Sequence, residues 1–350
     1  MKVLGIETSC DECAAAVVLD GEIILSNVVA TQIPYHRIYN GVVPEIASRM
    51  HTEWISGVVQ EALSQAGLTP RDIDGVAATA QPGLLGSLLV GLNFAKAFAW
   101  ARGIPFIAVN HILGHLYAHR LRQSNAESAL SIPYPFLGLL VSGGHSIICR
   151  VDGFDDIAIL GTTIDDAAGE AFDKVSKHYQ VGYPGGVAID ALAKAGNPYA
   201  YNFPLPNLYK GDHRYDFSYS GLKTAVVNQL DQFRATSASP QEAGEINLAD
   251  IAASFQRVAV EILLRSVFRA VEDTGLSTVV AGGGVAANSY LRARLAERSD
   301  IQSIFPPLEL CGDNGAMIAG IGYQHLARGD RSPLSVTASA RVSSYKQRYP

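Results

Sequence analysis

Two histidines four residues apart are the strongest candidates for chemistry in this sequence. His111 and His115 flank an Ile-Leu-Gly spacer, and on a helix positions i and i+4 share one face, with Cβ atoms about 5–6 Å apart. This spacing suits two ligands of one metal ion, although two ordinary helix histidines would show it as well. Zinc peptidases add a glutamate after the first histidine as the general base. That glutamate is absent here, so a peptidase is disfavoured.

A metal site needs a further ligand, and Asp313 is a candidate. It follows Leu310-Cys-Gly and stands where a helix is predicted to begin, over residues 313–327. Its carboxylate would either complete a metal site or cap the helix, since Asp is favoured at helix N-termini. The local sequence supports both interpretations equally.

Two glycine-rich turns are candidates for binding an anion. Residues 141–145 (VSGGH) end a predicted strand, and residues 281–288 (AGGGVAAN) lead from a strand into a helix. Bare backbone N–H groups and helix N-termini both favour phosphate. Neither turn matches the P-loop or the dinucleotide-binding pattern. Together they predict a nucleotide site between two lobes of an α/β protein.

Five acidic residues near predicted turns could serve such a site. Glu7, Asp11 and Glu12 cluster after the first strand, where they would order Mg²⁺ or water beside a phosphate. Asp173 and Asp190 lie near other glycine-rich turns, and Asp190 would reach a ribose or a small polar substrate. Solvated turns and ordinary helix surface are the alternatives.

The cysteines give little support to redox chemistry or to zinc binding. Cys10 and Cys13 form a CxxC pair between two predicted strands, whereas redox pairs stand where a strand meets a helix. The neighbouring acids would raise the pKa of these thiols. A zinc knuckle would need a second close pair, and Cys149 and Cys311 are solitary.

The elements that must position these residues alternate between strand and helix, which predicts an α/β fold. A second hairpin start at residues 136–153 repeats the pattern of residues 3–21, which predicts two duplicated lobes. A linker rich in Ser, Asn and Pro is expected at 122–135. The predicted strands are 3–6, 14–19, 23–30, 76–79, 106–109, 136–141, 147–151, 279–282 and 301–305, and the predicted helices are 44–66, 86–100, 166–178, 186–195, 248–273 and 313–327.

Composition sets broad limits on the class of protein. The 350 residues are 48% hydrophobic and 17% charged, which excludes a disordered chain or a coiled coil. The net charge of -6 shows no basic excess for nucleic acid, although charge on one face could hide in the total. The first apolar run is too short for a secretory signal or a membrane helix. A cytoplasmic protein is therefore expected.

Nine segments, in order, resemble the bacterial TsaD family of tRNA N6-adenosine threonylcarbamoyltransferases, once described as glycoproteases. The resemblance spans about residues 2–325. The segments are residues 5–12, 83–91, 110–115, 140–145, 169–174, 183–186, 217–223, 282–288 and 313–317.

The resemblance implies a fold, an activity and a division of the chain. The implied fold is the two-lobed actin-like, sugar-kinase-like ATPase architecture with duplicated RNase-H-like lobes. An N-terminal lobe of residues 1–121 would be completed by a helix over 313–330, with a second lobe at 136–312 and an irregular tail at 331–350. The implied acyltransferase reaction moves threonylcarbamoyl from threonylcarbamoyl-AMP to N6 of adenosine 37, in tRNAs that read codons beginning with A.

The resemblance also implies ligands and partners. One divalent ion, iron or zinc, would be held by His111, His115 and Asp313, and an adenine nucleotide would occupy the cleft. Asp11 is a candidate general base. The implied partners are tRNA, a shorter metal-free paralogue resembling TsaB in a heterodimer, and a small P-loop ATPase resembling TsaE; homodimerisation of the chain alone stays open. The implied substrate-binding positions are Leu140, Val141, Ser142, Gly143, Gly144, Asp173, Gly186, Asp190 and Asn288.

Three departures and three alternatives remain. Leu113 stands where the family has Glu, Gln81 where it has Gly, and Cys13 where it has Thr. Metal ligation should survive because that Glu is not one of the implied ligands.

The first alternative function is a carbamoyltransferase or kinase acting on a small metabolite with the same fold. The second is a non-catalytic module, which would be expected to have lost the histidine pair. The third is the zinc peptidase disfavoured above.

Overall fold

The computed structural model describes residues 1–39, 41–123, 132–208, 213–236 and 247–342. Side chains in the helix that ends at residue 236 are described up to residue 229. Most of the predicted linker lies outside the described residues, and so does the end of the tail, at 343–350. The chain divides into two compact units, described separately below.

The first unit contains Met1–Tyr134, Asp152–Ile157 and the described chain from Pro306 onward. Its six-stranded sheet has the order β5-β4-β1-β2-β3-β6. β1 pairs antiparallel with β2 and parallel with β4. The strands are β1 (Lys2–Glu7), β2 (Glu12–Leu19), β3 (Ile23–Thr31), β4 (Gly75–Gln81), β5 (Phe106–Asn110) and β6 (Arg122–Gln123), and the helices are α1 (Ile33–His36), α2 (Pro44–Gln65), α3 (Leu85–Arg102), α4 (His111–Tyr117) and α10 (Gly315–Arg328).

The central strand β1 is buried on both faces, which explains its nearly continuous apolar sequence. Successive side chains of a strand point to opposite faces. Leu4 and Ile6 therefore join one core cluster with residues of α2 and α3, whereas Val3 joins a second cluster with residues of α10. The end of β1 is thus fixed from both sides, and it carries Glu7.

The second unit contains Pro135–Val151 and Ala158–Phe305. Its five-stranded sheet has the order β11-β10-β7-β8-β9. β7 pairs antiparallel with β8 and parallel with β10, as β1 does with β2 and β4. The elements are β7 (Phe136–Val141), β8 (Ser146–Val151), β9 (Ile157–Thr162), β10 (Thr278–Gly282) and β11 (Gln302–Ile304), with α5 (Ala168–Tyr179), α6 (Gly185–Ala193), α7 (Ser220–Thr236), α8 (Leu248–Thr274) and α9 (Ser289–Ala296).

The matching strand orders confirm the predicted α/β class and the duplication. Several boundaries differ from the sequence predictions. Residues 152–157 and 306–312 belong to the first unit. The elements α1, β6, β9 and α7 were not predicted, and β6 lies at the start of the segment predicted to be the linker. The last helix, predicted from 313, begins at Gly315 because Asn314 caps it: its Oδ1 accepts a 2.9 Å hydrogen bond from the Met317 N–H.

The predicted irregular tail packs along the first unit as far as it is described. The Ser332 N–H donates to the carbonyl of Phe106 in β5, and the Ser339 N–H donates to the carbonyl of Ala80 in β4, each at 2.9 Å. Hydrogen bonds to the sheet explain its order without regular structure. Among the described residues, no helix combines the length and apolar character that a membrane crossing requires.

Candidate functional site

The short helix α4 presents both histidines on one buried face. Asn110 caps the helix, since its Oδ1 accepts a 2.9 Å hydrogen bond from the Ile112 N–H. His111 and His115 are buried, and their Nε2 atoms lie 3.2 Å apart. The i, i+4 spacing therefore brings two imidazole nitrogens to one point, as predicted. Leu113, between them, packs against the α10 side of the core.

Asp313 completes this group from the other end of the sequence. Its Oδ1 lies 3.1 Å from the Nε2 of His115 and 3.5 Å from the Nε2 of His111. The alternative role of Asp313 as a helix cap is wrong, because Asn314 caps α10. This leaves the Asp313 carboxylate facing the two rings.

Glu7 forms a second layer behind His111. Its side chain is fully buried at the end of β1, and its Oε2 lies 2.9 Å from the Nδ1 of His111. The Thr79 hydroxyl donates to the same oxygen at 2.6 Å, and the Ser9 N–H donates to Oε1 at 2.5 Å. A carboxylate on the far nitrogen of a metal-binding histidine fixes the ring and raises its basicity. The sequence grouped Glu7 with Asp11 and Glu12 but did not assign it to the histidines.

The charges of this group shift one another strongly. Burial opposes a charge on His111, but the carboxylates of Glu7 and Asp313 outweigh burial and raise the pKa of His111 to about 9. Burial would raise the pKa of Glu7, yet the charge and hydrogen bond of His111 lower it. Burial and the charge of His111 both lower the pKa of His115. The two rings and the two carboxylates therefore control one another's protonation, as closely packed titratable groups do.

The donor set fits a divalent metal ion. His111, His115 and Asp313 each offer one ligand atom, and these atoms lie within 4.8 Å of one another. Two neutral imidazole nitrogens and a carboxylate oxygen are ligands that iron and zinc accept. The orientation of His111 by Glu7 is the support that such a ligand usually has. A second group, Asp155, His325 and Asp330, meets the same distance limit, but Arg328 already forms ion pairs with both of its carboxylates.

The turn after β1 carries the remaining acids and the CxxC pair. Asp11 is buried and Glu12 is half-buried. Burial and the neighbouring Asp11 raise the pKa of Glu12 well above its usual range. Burial raises the pKa of Cys10 well above its usual value and the pKa of Cys13 to about 12. These thiols stay protonated, which argues against a redox pair, and both cysteines are free.

The two glycine turns of the second unit lie at the same edge of its sheet. Leu140 of β7 pairs in parallel register with Gly282 of β10, so Val141, Ser142 and the turn after β10 are neighbours. A Cβ on Gly283 would stand 2.4 Å from the carbonyl oxygen of Val141, whereas a Cβ on Gly143 or Gly144 would meet nothing within 4 Å. Open backbone beside the ends of parallel strands is where α/β proteins bind phosphates.

The other implied substrate positions form two pairs in the same unit. The Asp173 Oδ1 accepts a 2.7 Å hydrogen bond from the Gly185 N–H, at the start of the helix that contains the open Gly186. The Asp190 Oδ1 accepts a 2.8 Å hydrogen bond from the Ser289 hydroxyl, next to Asn288. Asn288 caps α9 through Oδ1 and donates from Nδ2 to Gln256 at 3.0 Å. The nine positions thus lie in the second unit, and the metal candidates lie in the first.

Comparison with solved structures identifies the fold. Full-length HypF in its phosphate- and nucleotide-bound form aligns with a TM-score of 0.58 at 14% identity, over 95% of this chain and 56% of that one. Component A of the (R)-2-hydroxyglutaryl-CoA dehydratase of Acidaminococcus fermentans aligns with a TM-score of 0.53 at 15% identity, over 93% of this chain and 99% of that one. Identities this low show the fold alone, and it is the actin-like ATPase fold that was predicted.

Comparison with sequences identifies the family. The TsaD family model, described as tRNA N6-adenosine threonylcarbamoyltransferase, matches residues 23–320. A relative of that name in Treponema denticola is 63% identical over 350 residues, which cover 99% of both chains. One in Treponema pallidum strain Nichols is 53% identical over 348 residues, 99% of this chain and 95% of the relative. The chain therefore belongs to the TsaD family of tRNA N6-adenosine threonylcarbamoyltransferases, acyltransferases that modify tRNA.

Proposed function

We propose that this enzyme transfers the threonylcarbamoyl group of threonylcarbamoyl-AMP to N6 of adenosine 37, in tRNAs that read codons beginning with A. The observation that carries the proposal is the convergence of His111, His115 and Asp313 on one point, with Glu7 orienting His111, in a chain of this family. The adenine nucleotide that the enzyme binds would be this donor or ATP.

We propose that His111, His115 and Asp313 hold one divalent ion, Fe²⁺, with Zn²⁺ as the alternative. When bound, the ion supplies Lewis acidity and a template for the mixed anhydride. Glu7 keeps the Nε2 lone pair of His111 directed at the ligand position, because its own oxygen holds the proton on Nδ1. The three ligands come from α4 and from the residues before α10, which pack against each other in one unit.

The donor's phosphate is assigned to the turn after β7. Gly143 and Gly144 would offer backbone N–H groups to the phosphate, and the open space beside them would admit it. Leu140, Val141 and Ser142 would line the same position, and the Ser142 N–H donates to the His145 carbonyl at 2.8 Å, which closes the turn. The other assigned contacts are Asp173, Gly186, Asp190 and Asn288. Hydrogen bonds to helix N-termini keep the side chains of Asp173, Asp190 and Asn288 fixed.

The amine of adenosine is a weak nucleophile, so positioning dominates the reaction. The N6–carbonyl bond forms while the bond from the carbonyl carbon to the phosphate oxygen breaks, and AMP leaves with that electron pair. A base is needed only for the proton that N6 loses. We assign that proton to the Asp11 carboxylate, which is buried on the turn after β1.

We infer that the enzyme acts in the cytoplasm with tRNA and with two proteins. One is a shorter metal-free paralogue that resembles TsaB and forms a heterodimer with it, and the other is a small P-loop ATPase that resembles TsaE. The chain without the paralogue could instead form a homodimer, and light scattering would measure its molar mass in solution.

The test combines the purified chain, both partners, Fe²⁺, threonylcarbamoyl-AMP and unmodified tRNA. Nucleoside mass spectrometry measures threonylcarbamoyladenosine, and a matched tRNA with guanosine at position 37 is the control. The proposal expects product only with adenosine 37. Equal product from both tRNAs, or none from either beside a transferase shown to be active, would overturn it.

A further inference from the structure

A chain of three buried polar side chains runs from the surface segment after β3 to the turn that carries Asp11. Gln32, His36 and His51 are completely buried. Gln32 follows β3, His36 ends α1, and His51 lies in α2. Buried polar side chains are costly unless their hydrogen bonds are satisfied, and these three satisfy one another.

The hydrogen bonds among these three side chains run in one direction. The Val43 N–H donates to the Nδ1 of His36 at 3.3 Å, so this ring carries its proton on Nε2 and donates to the Oε1 of Gln32 at 3.1 Å. The amide nitrogen of Gln32 then lies 3.5 Å from the Nδ1 of His51. This leaves the proton of His51 on Nε2, which donates to the Cys10 carbonyl at 2.9 Å. Burial lowers the pKa of His51, in agreement with the neutral ring that this pattern requires.

The turn from Ser9 to Asp11 is held at each of its three carbonyl groups by a different element. The Ser9 carbonyl accepts a 2.8 Å hydrogen bond from the N–H of Leu84, just before α3, and the Asp11 carbonyl accepts one of 3.0 Å from the N–H of Gln32. His51 of α2 holds the carbonyl between them. It is the only one of the three groups that donates through a side chain, so substitution can remove it without altering the backbone.

We propose that His51 is a positioning residue for threonylcarbamoyl transfer: its Nε2–H fixes the Cys10 carbonyl and thereby aims the Asp11 carboxylate at the proton of the attacking N6 amine. This inference rests on the proposed function, because it requires Asp11 to face the reacting amine. His51 itself touches neither substrate nor metal ligand in the hydrogen bonds described. It acts through one backbone carbonyl.

The test compares two amide substitutions that differ in reach. In His51→Gln the amide nitrogen takes the place of Nε2, so the hydrogen bond to Cys10 survives. In His51→Asn the shorter amide takes the place of Nδ1, so that hydrogen bond is lost. We expect His51→Asn to lower kcat by about 10- to 100-fold, the scale of a misplacement of about 1 Å, with KM for tRNA and metal content unchanged. His51→Gln should keep kcat within a few-fold of the wild type.

Amide hydrogen exchange of residues 9–12 provides a readout that needs no transfer reaction. It should accelerate in His51→Asn and stay slow in His51→Gln. Equal loss of kcat in both variants would reduce His51 to a packing role and overturn the inference, as would wild-type kcat in His51→Asn. A wild type that forms no product would instead contradict the proposed function, while the exchange comparison would still test the hydrogen bond.

Discussion

Glu7 and His111 are 104 residues apart in sequence and share a 2.9 Å hydrogen bond in a fully buried setting. The end of β1 and the start of α4 are joined through this contact. Because Glu7 also accepts hydrogen bonds from Thr79 and Ser9, its carboxylate is fixed before any ligand binds. The contact therefore sets the orientation of one of the three candidate ligands.

Replacing Glu7 should weaken metal binding without removing a ligand. In Glu7→Gln the shape is kept but the negative charge behind His111 is lost, so we expect metal affinity to fall about 10- to 100-fold. Competition with a chromophoric chelator measures it. Glu61→Gln, on the exposed side of α2, is the matched control. Equal affinities of the Glu7 variant and the wild type would show that Glu7 does not support the site.

Gly5 should tolerate no side chain, because a Cβ there would stand 2.2 Å from the Gly315 carbonyl oxygen and 2.4 Å from the Ala319 nitrogen. We expect Gly5→Ala to lower the free energy of unfolding by about 3 kcal/mol or more, since backbone of α10 must move. Gly57→Ala is the control on the exposed face of α2, where nothing lies within 4 Å. It should raise stability by about 0.5–1 kcal/mol. Urea denaturation measures both, and similar effects of the two changes would contradict the packing of α10 on β1.

A side chain on the turn after β7 should separate donor binding from folding. A Cβ at Gly143 meets nothing within 4 Å, so Gly143→Val should change the unfolding free energy by no more than about 0.5 kcal/mol. We expect it to weaken binding of threonylcarbamoyl-AMP at least about tenfold, because valine would fill the space assigned to the phosphate. Isothermal titration calorimetry measures the affinity. Gly221→Val, at the exposed start of α7, serves as control. An unchanged affinity of the Gly143 variant for threonylcarbamoyl-AMP would show that the phosphate binds elsewhere.

His119 should make stability depend on pH. Burial lowers its pKa to about 4, from an unfolded value of 6.5, so the unfolded chain takes up a proton near pH 6.5 and the folded chain only near pH 4. Its contribution is therefore complete above pH 6.5 and is lost as the pH falls to about 4, by up to about 3 kcal/mol.

In His119→Asn the donor to the Leu116 carbonyl is retained and the titration is removed. The difference in unfolding free energy between wild type and variant should therefore change across pH 6.5 to 4. Urea denaturation at several pH values measures this difference. A constant difference would contradict the burial of a neutral His119.

The sequence predicted much of this site because its signals are local. The i, i+4 histidines, the glycine turns and the repeated hairpin each lie within a short window, and the structure shows them where they were predicted. The role of Glu7 was missed because its partner His111 is distant in sequence. Only the pairing of β1 with β4, and of β4 with β5, brings the two residues together. Asp313 stayed ambiguous for a related reason: the neighbouring Asn314 is an equally good cap, and only the packing of α10 decides between them.

The order of the C-terminal tail was not predicted either. Its Ser-rich sequence carries no apolar periodicity, and its hydrogen bonds to Phe106 and Ala80 join residues more than 200 positions apart. Such contacts can form only when β4 and β5 have been brought together in the sheet. They therefore have no signature in the tail itself.

The most direct test of metal-dependent transfer compares the wild type with the double variant His111→Ala, His115→Ala in the reconstituted reaction. Circular dichroism first shows that the variant is folded. Elemental mass spectrometry then measures the metal per chain, and nucleoside analysis measures threonylcarbamoyladenosine. We predict one equivalent of metal and product for the wild type, and neither for the variant. Wild-type amounts of product from a folded variant without metal would contradict it.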